Sequence, residues 1–132
     1  DGKGFYNSDA APSGGVCIET SLPRRLDAVN NNKSGMERLV EVFSTNPAMM
    51  NGLYPTKGDL MLGSDADVVI ADMDMPFHIK GENLQTIQKI TPYEDMKGKG
   101  MPVMTLVRGQ VIFEDGQVIG KPGYGTFQRP LV

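Results

Sequence analysis

The 132-residue sequence has no tryptophan, one cysteine and one histidine. Each scarcity excludes something. With four Tyr, five Phe and no Trp, there is little to build a stacking platform for nucleic-acid bases. Thirteen basic against sixteen acidic side chains give a net charge of -3, so no basic face follows a phosphate backbone and no nucleic-acid partner is expected. The longest apolar run is about one strand long, well short of the roughly 20 residues that cross a bilayer, so no membrane partner is expected. Cys17 has no second cysteine to pair with or to share a metal. That fits a reducing, cytoplasmic compartment. Beside Val16 and Ile18, Cys17 reads as a small buried hydrophobe. Asn32-Lys33-Ser34 matches the glycosylation triplet, but no signal peptide accompanies it.

What is present suits one ordinary domain. The length falls short of a large barrel enzyme, which needs roughly 250 residues. Nine Met and sixteen Gly leave few large apolar groups to close a core, so strand edges needing a partner are expected. The opening Asp1, in place of Met, within a Gly- and Asn-rich segment suggests that something is missing.

Along the chain, Pro12, Gly14, Gly15 and Pro23 make residues 1–33 read as loop, briefly extended over 16–20. Ser34 with Glu37 three positions on predicts a capping box. Met36, Leu39, Val40 and Phe43 then form one helical stripe that should end near Ser44. Asn46-Pro47 predicts a restart, with Asn as cap and Pro in the first turn. Gly52 is placed to end that helix in a left-handed conformation. After Pro55 the pattern turns to strands: 59–62, a turn at 63–65, then Val68, Val69, Ile70 and Ala71, a continuous run that predicts a strand covered on both faces. Residues 75–80 suggest another strand, and 83–90 suit helix or strand. Strands over 103–107 and 110–113 frame Arg108-Gly109 as a hairpin, and Asp115-Gly116 turns the chain again into 117–119. The tail "GKPGYGTFQRPLV" is loop.

For chemistry, His78 has no co-ligand in the sequence, so it reads as a strand residue with a satisfied ring. No G-x-S-x-G elbow exists. "GKGMP" and "GKPGYG" match no phosphate or dinucleotide fingerprint. Asp65, Asp67 and Asp72 flank a turn and an apolar run, where short carboxylates accept backbone N–H bonds; they are expected to organise backbone rather than catalyse.

The stretch "STNPAMMNGLYPTKGDLMLGSDADVVIAD" closely resembles the C-terminal part of the cyclic amidohydrolases, the dihydropyrimidinase and hydantoinase family. "KG" followed by "GSDADVVIAD" is shared across the amidohydrolase superfamily, and "NPA" with "GLYP" narrows the match to the cyclic-amide branch. "IETSLP", "GKGMPV", "VRGQVIFEDG" and "GYGTFQR" extend the resemblance over essentially the whole chain. It implies a metal-bearing (β/α)8 barrel flanked by a small β-sandwich, with an H-x-H pair, a carboxylated lysine, two more histidines and an aspartate holding a binuclear zinc centre. Those motifs lie upstream of the matched region, and Asp1 lacks the neighbouring His of that aspartate.

The resemblance therefore implies a mixed α/β fragment: the end of the barrel with its packing helices over 1–55, C-terminal sandwich strands over 56–120 and a tail over 121–132. No catalytic or metal-ligating residue is assigned to this chain. Ser13 and Gly14, in a loop resembling the one after the last barrel strand, are the candidate substrate-binding residues. Ser13 stands where the family has Asn, which leaves backbone contacts, and Gly14 permits close approach of a ligand. The expected partners are the rest of the barrel, or a second chain carrying it, and further copies, since the family forms tetramers. The alternative is a non-catalytic β-rich assembly module.

Overall fold

The structure, a computed structural model, describes residues 17–130. The chain forms helix α1 (Ile18–Asn30), helix α2 (Met36–Val40), a π-helical turn (Glu41–Thr45), helix α3 (Asn46–Met50), and a sheet of β1 (Val68–His78), β2 (Lys97–Val107), β3 (Gln110–Glu114) and β4 (Gln117–Val118). The sheet is an antiparallel meander in the order β1-β2-β3-β4.

Where loop was expected, α1 forms. Thr20, Pro23 and Leu26 are buried at three-residue spacing, so one stripe of the helix faces the sheet. Pro23 supplies no N–H to the ladder, and packing overrides that loss. The helix ends in a Schellman arrangement: Asn32 is left-handed (φ 54°), its N–H bonds to Val29 O, and Lys33 N–H bonds to Ala28 O. Asn tolerates that conformation better than most residues.

The second helical segment also departs from expectation. Gly35, not Ser34, precedes the first helical residue, so Glu37 stands one position too early to close a capping box, and no side-chain cap bond forms. The break expected near Ser44 is a widened π turn directly before Pro47, and Asn46 is itself helical (φ -63°, ψ -45°). Widening one turn carries the helix past a residue with no N–H to donate. Gly52 does end it left-handed (φ 65°), with Gly52 N–H bonded to Met49 O and Leu53 N–H to Ala48 O.

No strand forms at 59–62. Asp59 Oδ1 takes the N–H of Leu60, and Ser64 N–H closes a turn onto Met61 O. Residues 68–71 and 75–78 are one strand, β1, rather than two. Val69 and Ile70 are about half exposed, at 50% and 47%, so this run is not covered on both faces; β1 is an edge strand with β2 on one side only. Residues 83–90 are neither helix nor strand beyond a 3-10 turn at Gly81–Asn83. Both expected tight turns form: Arg108 (φ 46°) with Gly109 (φ 77°), and Asp115 (φ 47°) with Gly116 (φ 80°), the paired positive φ values of type I′ hairpins.

The β1–β2 pairing slips between Asp72 and Pro76, which frees the backbone of residues 73–75 from the ladder. Side chains take up three of the freed groups. Asp72 Oδ1 accepts Asp74 N–H (2.9 Å) and Met75 N–H (3.2 Å). Asn30 Nδ2, at the end of α1, donates to Met73 O (2.7 Å) and Lys99 O (3.0 Å). One turn earlier, Asp27 Oδ1 accepts Lys99 N–H (3.0 Å). The helix approaches this closely because β2 carries glycines: a Cβ on Gly100 (φ 114°) would lie 2.5 Å from Leu26 Cβ, and one on Gly98 would lie 2.5 Å from Asp27 Oδ1. Leu26, Phe77, Ile79 and Leu84 are buried, each adding about 1.5–3 kcal/mol.

Gly100→Ala should therefore cost about 1–3 kcal/mol, from overpacking and a strained φ. Gly125→Ala, with nothing within 4 Å of the added carbon, should change stability little. Urea midpoints of the two variants check this; equal midpoints would show that α1 does not press on β2.

Candidate functional site

Ser13 and Gly14 lie outside the described residues. The carboxylates of the 65–72 stretch lie within them, and each is tied to backbone or to a lysine. Lys57 stands between two of them, 2.7 Å from Asp65 Oδ2 and 2.5 Å from Asp67 Oδ2. The other oxygen of Asp67 accepts Arg108 N–H at 2.8 Å, which fixes the left-handed first residue of the β2–β3 turn. Arg108 continues the chain of contacts. Its Nη2 donates to Tyr124 O (2.6 Å), its guanidinium lies 4.5 Å from the Tyr124 ring centroid, and Tyr124 OH donates to Val107 O (3.2 Å). Thus the loop before β1, the hairpin turn and the C-terminal tail meet at one charged knot.

Desolvation works against the charge on Asp67, but the hydrogen bonds from Lys57 and the Arg108 backbone win and hold its carboxyl below the ordinary range. Desolvation likewise opposes the Lys57 charge, and the bonds to Asp65 and Asp67 outweigh it, raising its pKa. The sequence marked the three aspartates but not Lys57, Arg108 or Tyr124. The signal for Lys57 was its place in "KG", just ahead of "GSDADVVIAD".

His78 ends β1. Its Nε2 is 3.0 Å from Asp95 Oδ1, and Lys80 Nζ reaches the same oxygen at 2.5 Å. The Lys80 bond, then the His78 bond, hold the Asp95 carboxyl below its usual range. Asp95 is left-handed (φ 64°), and its N–H bonds to Ile79 O. The ring therefore clasps the loop that leads into β2. Among the described residues it bonds to no hydroxyl or thiol, and so lacks the nucleophile of a triad.

Cys17 is half-buried, less enclosed than expected, and its carbonyl serves the start of α1 by accepting Ser21 N–H (2.8 Å) and Ser21 Oγ–H (2.6 Å). A cavity of about 500 Å³ lies between α1 and the sheet, lined by Glu19, Thr20, Phe77, Leu84, Ile112 and others. Its walls are mainly apolar, with the side chains of Glu19, His78 and Lys80 among them; His78 and Lys80 are both bonded to Asp95. Among the described residues no group of three or more His, Cys, Asp or Glu side chains converges on a point that could hold a metal ion. The donor set among the described residues does not fit a binuclear zinc centre. No helix of the described residues is long and apolar enough to cross a membrane.

The sequence model of the amidohydrolase family matches residues 3–112. The L-hydantoinase of Paenarthrobacter aurescens is 42% identical over 118 residues, covering 89% of this chain and 26% of the relative. The D-hydantoinase of Ralstonia pickettii is 34% identical over 127 residues, covering 96% of this chain and 28% of the relative. The solved L-hydantoinase (dihydropyrimidinase) from Arthrobacter aurescens superposes with a TM-score of 0.85 at 41% identity, over 89% of this chain and 26% of that one. The chain thus spans about a quarter of the length of the curated relatives it matches.

Lys57→Met should lower stability by roughly 1–2 kcal/mol, as two partly exposed carboxylates lose their shared cation. The pH dependence has a fixed sign. Because the folded pKa of Asp67 is depressed, its contribution is complete above the unfolded value of about 4 and is lost as pH falls through the folded one. Because that of Lys57 is raised, its contribution is complete below about 10 and is lost as pH rises through the folded value. Urea melts from about pH 2 to 11 should show both limbs weakened in Lys57→Met. Unchanged limbs would mean the knot contributes nothing.

Proposed function

Because the chain belongs to the amidohydrolase family, we propose that it is the C-terminal portion of a cyclic amidohydrolase, a hydrolase that opens a ring amide or imide of hydantoin or dihydropyrimidine type. The observation that carries this reading is the 42% identity to an L-hydantoinase over 89% of the chain but only 26% of the relative. On this reading residues 1–55 end a (β/α)8 barrel, residues 56–120 supply sandwich strands, and 121–132 form the tail.

The chemistry follows from the side chains at hand. The described part holds no donor set for a metal; on this reading a zinc centre in the intact enzyme would be held by residues outside it, and it would supply an activated water for ring opening. This chain contributes position rather than proton transfer. Asp67 and Lys57 fix the turn that carries Arg108, and Asp27 and Asn30 fix α1 against β2. Ser13 and Gly14 are the candidate substrate-binding residues on this reading, and a glycine at position 14 permits close approach of a ligand.

The exposed apolar side chains favour a covered surface in the working protein. Ile18, Met50 and Phe127 are each more than four-fifths exposed (94%, 86% and 86%), which suits contact with the rest of a barrel or with further copies.

The 132-residue chain, purified alone, should open neither hydantoin nor dihydrouracil and should carry no stoichiometric zinc. Ring opening should appear when it is co-expressed with the barrel portion of a hydantoinase relative. Turnover with bound zinc in the isolated chain would overturn the reading. A discrete oligomer that ignores the barrel portion would favour a non-catalytic assembly module instead.

A further inference from the structure

Residues 85–90 cross from the 3-10 turn Gly81–Asn83 toward the buried Thr91 without joining any helix or strand. Among the described residues, their backbone makes no hydrogen bond to other backbone. Two backbone amides of the segment are bonded, and both bonds end on one side chain. Gln85 N–H donates to Glu19 Oε2 at 2.8 Å, and Thr86 N–H donates to Glu19 Oε1 at 3.0 Å. The two oxygens of a single carboxylate, on the first turn of α1, clasp successive amides.

The segment is otherwise built as a strap fixed at its ends. Leu84 is buried on one side and Thr91 on the other, while Arg24 of α1 lies 3.4 Å from the ring centroid of Tyr93. Gly81 lets the two ends meet, since a Cβ there would lie 2.3 Å from Lys89 O. Lys89 Nζ bonds to Leu84 O and closes the loop on itself. Between these anchors Ile87 is 98% exposed. Glu19, Leu84 and Gln85 also line the cavity between α1 and the sheet.

We infer that the Glu19 carboxylate is a latch: it holds residues 85–90 as a strap against α1, and its release lets the strap lift as a unit and open that side of the cavity. Anchors at both ends with one polar clasp beside the first make a two-position element, because the strap can move without unpairing any sheet bond. This inference does not depend on the proposed catalytic reading.

Amide hydrogen exchange followed by NMR on the full chain tests it. In Glu19→Ala the amides of Gln85 and Thr86 should exchange about fivefold faster, the factor expected for losing one net hydrogen bond's worth of protection. Those of Ile79 and Asp95, which bond to backbone across the β1–β2 connection, should keep their wild-type rates. Unchanged protection at Gln85 and Thr86, or an equal loss at all four amides, overturns the latch. Should the variant not fold, wild type decides: Gln85 and Thr86 must exchange about fivefold more slowly than Gln88 of the same strap, and equal rates overturn the inference.

Discussion

The slip in β1 at Asp72 to Pro76 is the constraint from which the placement of α1 follows. Displacing residues 73–75 from the ladder leaves backbone groups that need partners. Asp72 answers from within the strand, and Asn30 answers from the helix by accommodating two carbonyls with one amide group. A carbonyl pair on two strands can be reached by one side chain only if the helix end sits directly over the slip. Gly98 and Gly100 remove the two Cβ atoms that would hold it off. Hydrophobic burial under α1 is modest, with Leu26 and Pro23 as its main contributors. Direction comes from the polar contacts, since area burial is indifferent to orientation.

The same logic joins the other parts. Asp67 couples the loop before β1 to the β2–β3 turn, Arg108 couples that turn to Tyr124 in the tail, and Lys57 sets the charge balance. Short carboxylates here stabilise left-handed or irregular backbone: Asp67 at Arg108, Asp72 at the slip, and Asp95 at its own left-handed position. Asp67 shares a small cavity with Asp59 and Asp65, but Lys57 bridges Asp65 and Asp67, which makes an ion-paired cluster rather than the acid–base pair that catalysis would need. The reading of Asp65, Asp67 and Asp72 as organisers of backbone agrees with the bonds of Asp67 and Asp72, whereas the Asp65 carboxylate pairs with Lys57 instead.

What could be read from the sequence were the signals that act over a few residues. Arg108-Gly109 and Asp115-Gly116 encode their turns by tolerance of positive φ, and Gly52 encodes its helix end the same way. What could not be read required distant partners. α1 was hidden because Pro23 and the preceding glycines argue locally for loop, while the contacts that hold it come from residues about 70 positions away, Lys99 to Asp27 and Asn30. The capping box failed for a reason of one residue, the helix beginning at Met36 rather than Gly35. Strand 59–62 failed because Asp59 bonds its neighbour's amide instead of leaving it to a ladder. The candidate substrate residues rest on resemblance alone, since Ser13 and Gly14 lie outside the described residues.

The distribution of apolar side chains fits a supporting role better than an autonomous one. A core of Leu26, Leu39, Ala48, Phe77, Ile79 and Leu84 is small beside the apolar groups left facing water, which include Met50, Leu62 and Phe127. Polar knots at Lys57, at Asn30 and at His78 do not replace such a core, because each net hydrogen bond contributes only about 1 kcal/mol. They do something different: they fix the relative placement of loops whose apolar faces still await cover. A segment with sharply specified geometry and weakly specified burial is suited to be completed by another surface. The edge strand β1 carries Asp72, Asp74 and Pro76 along its irregular half, residues that discourage indiscriminate strand pairing. The exposed apolar groups, rather than the free edge of the sheet, are therefore where this chain leaves most burial unmet.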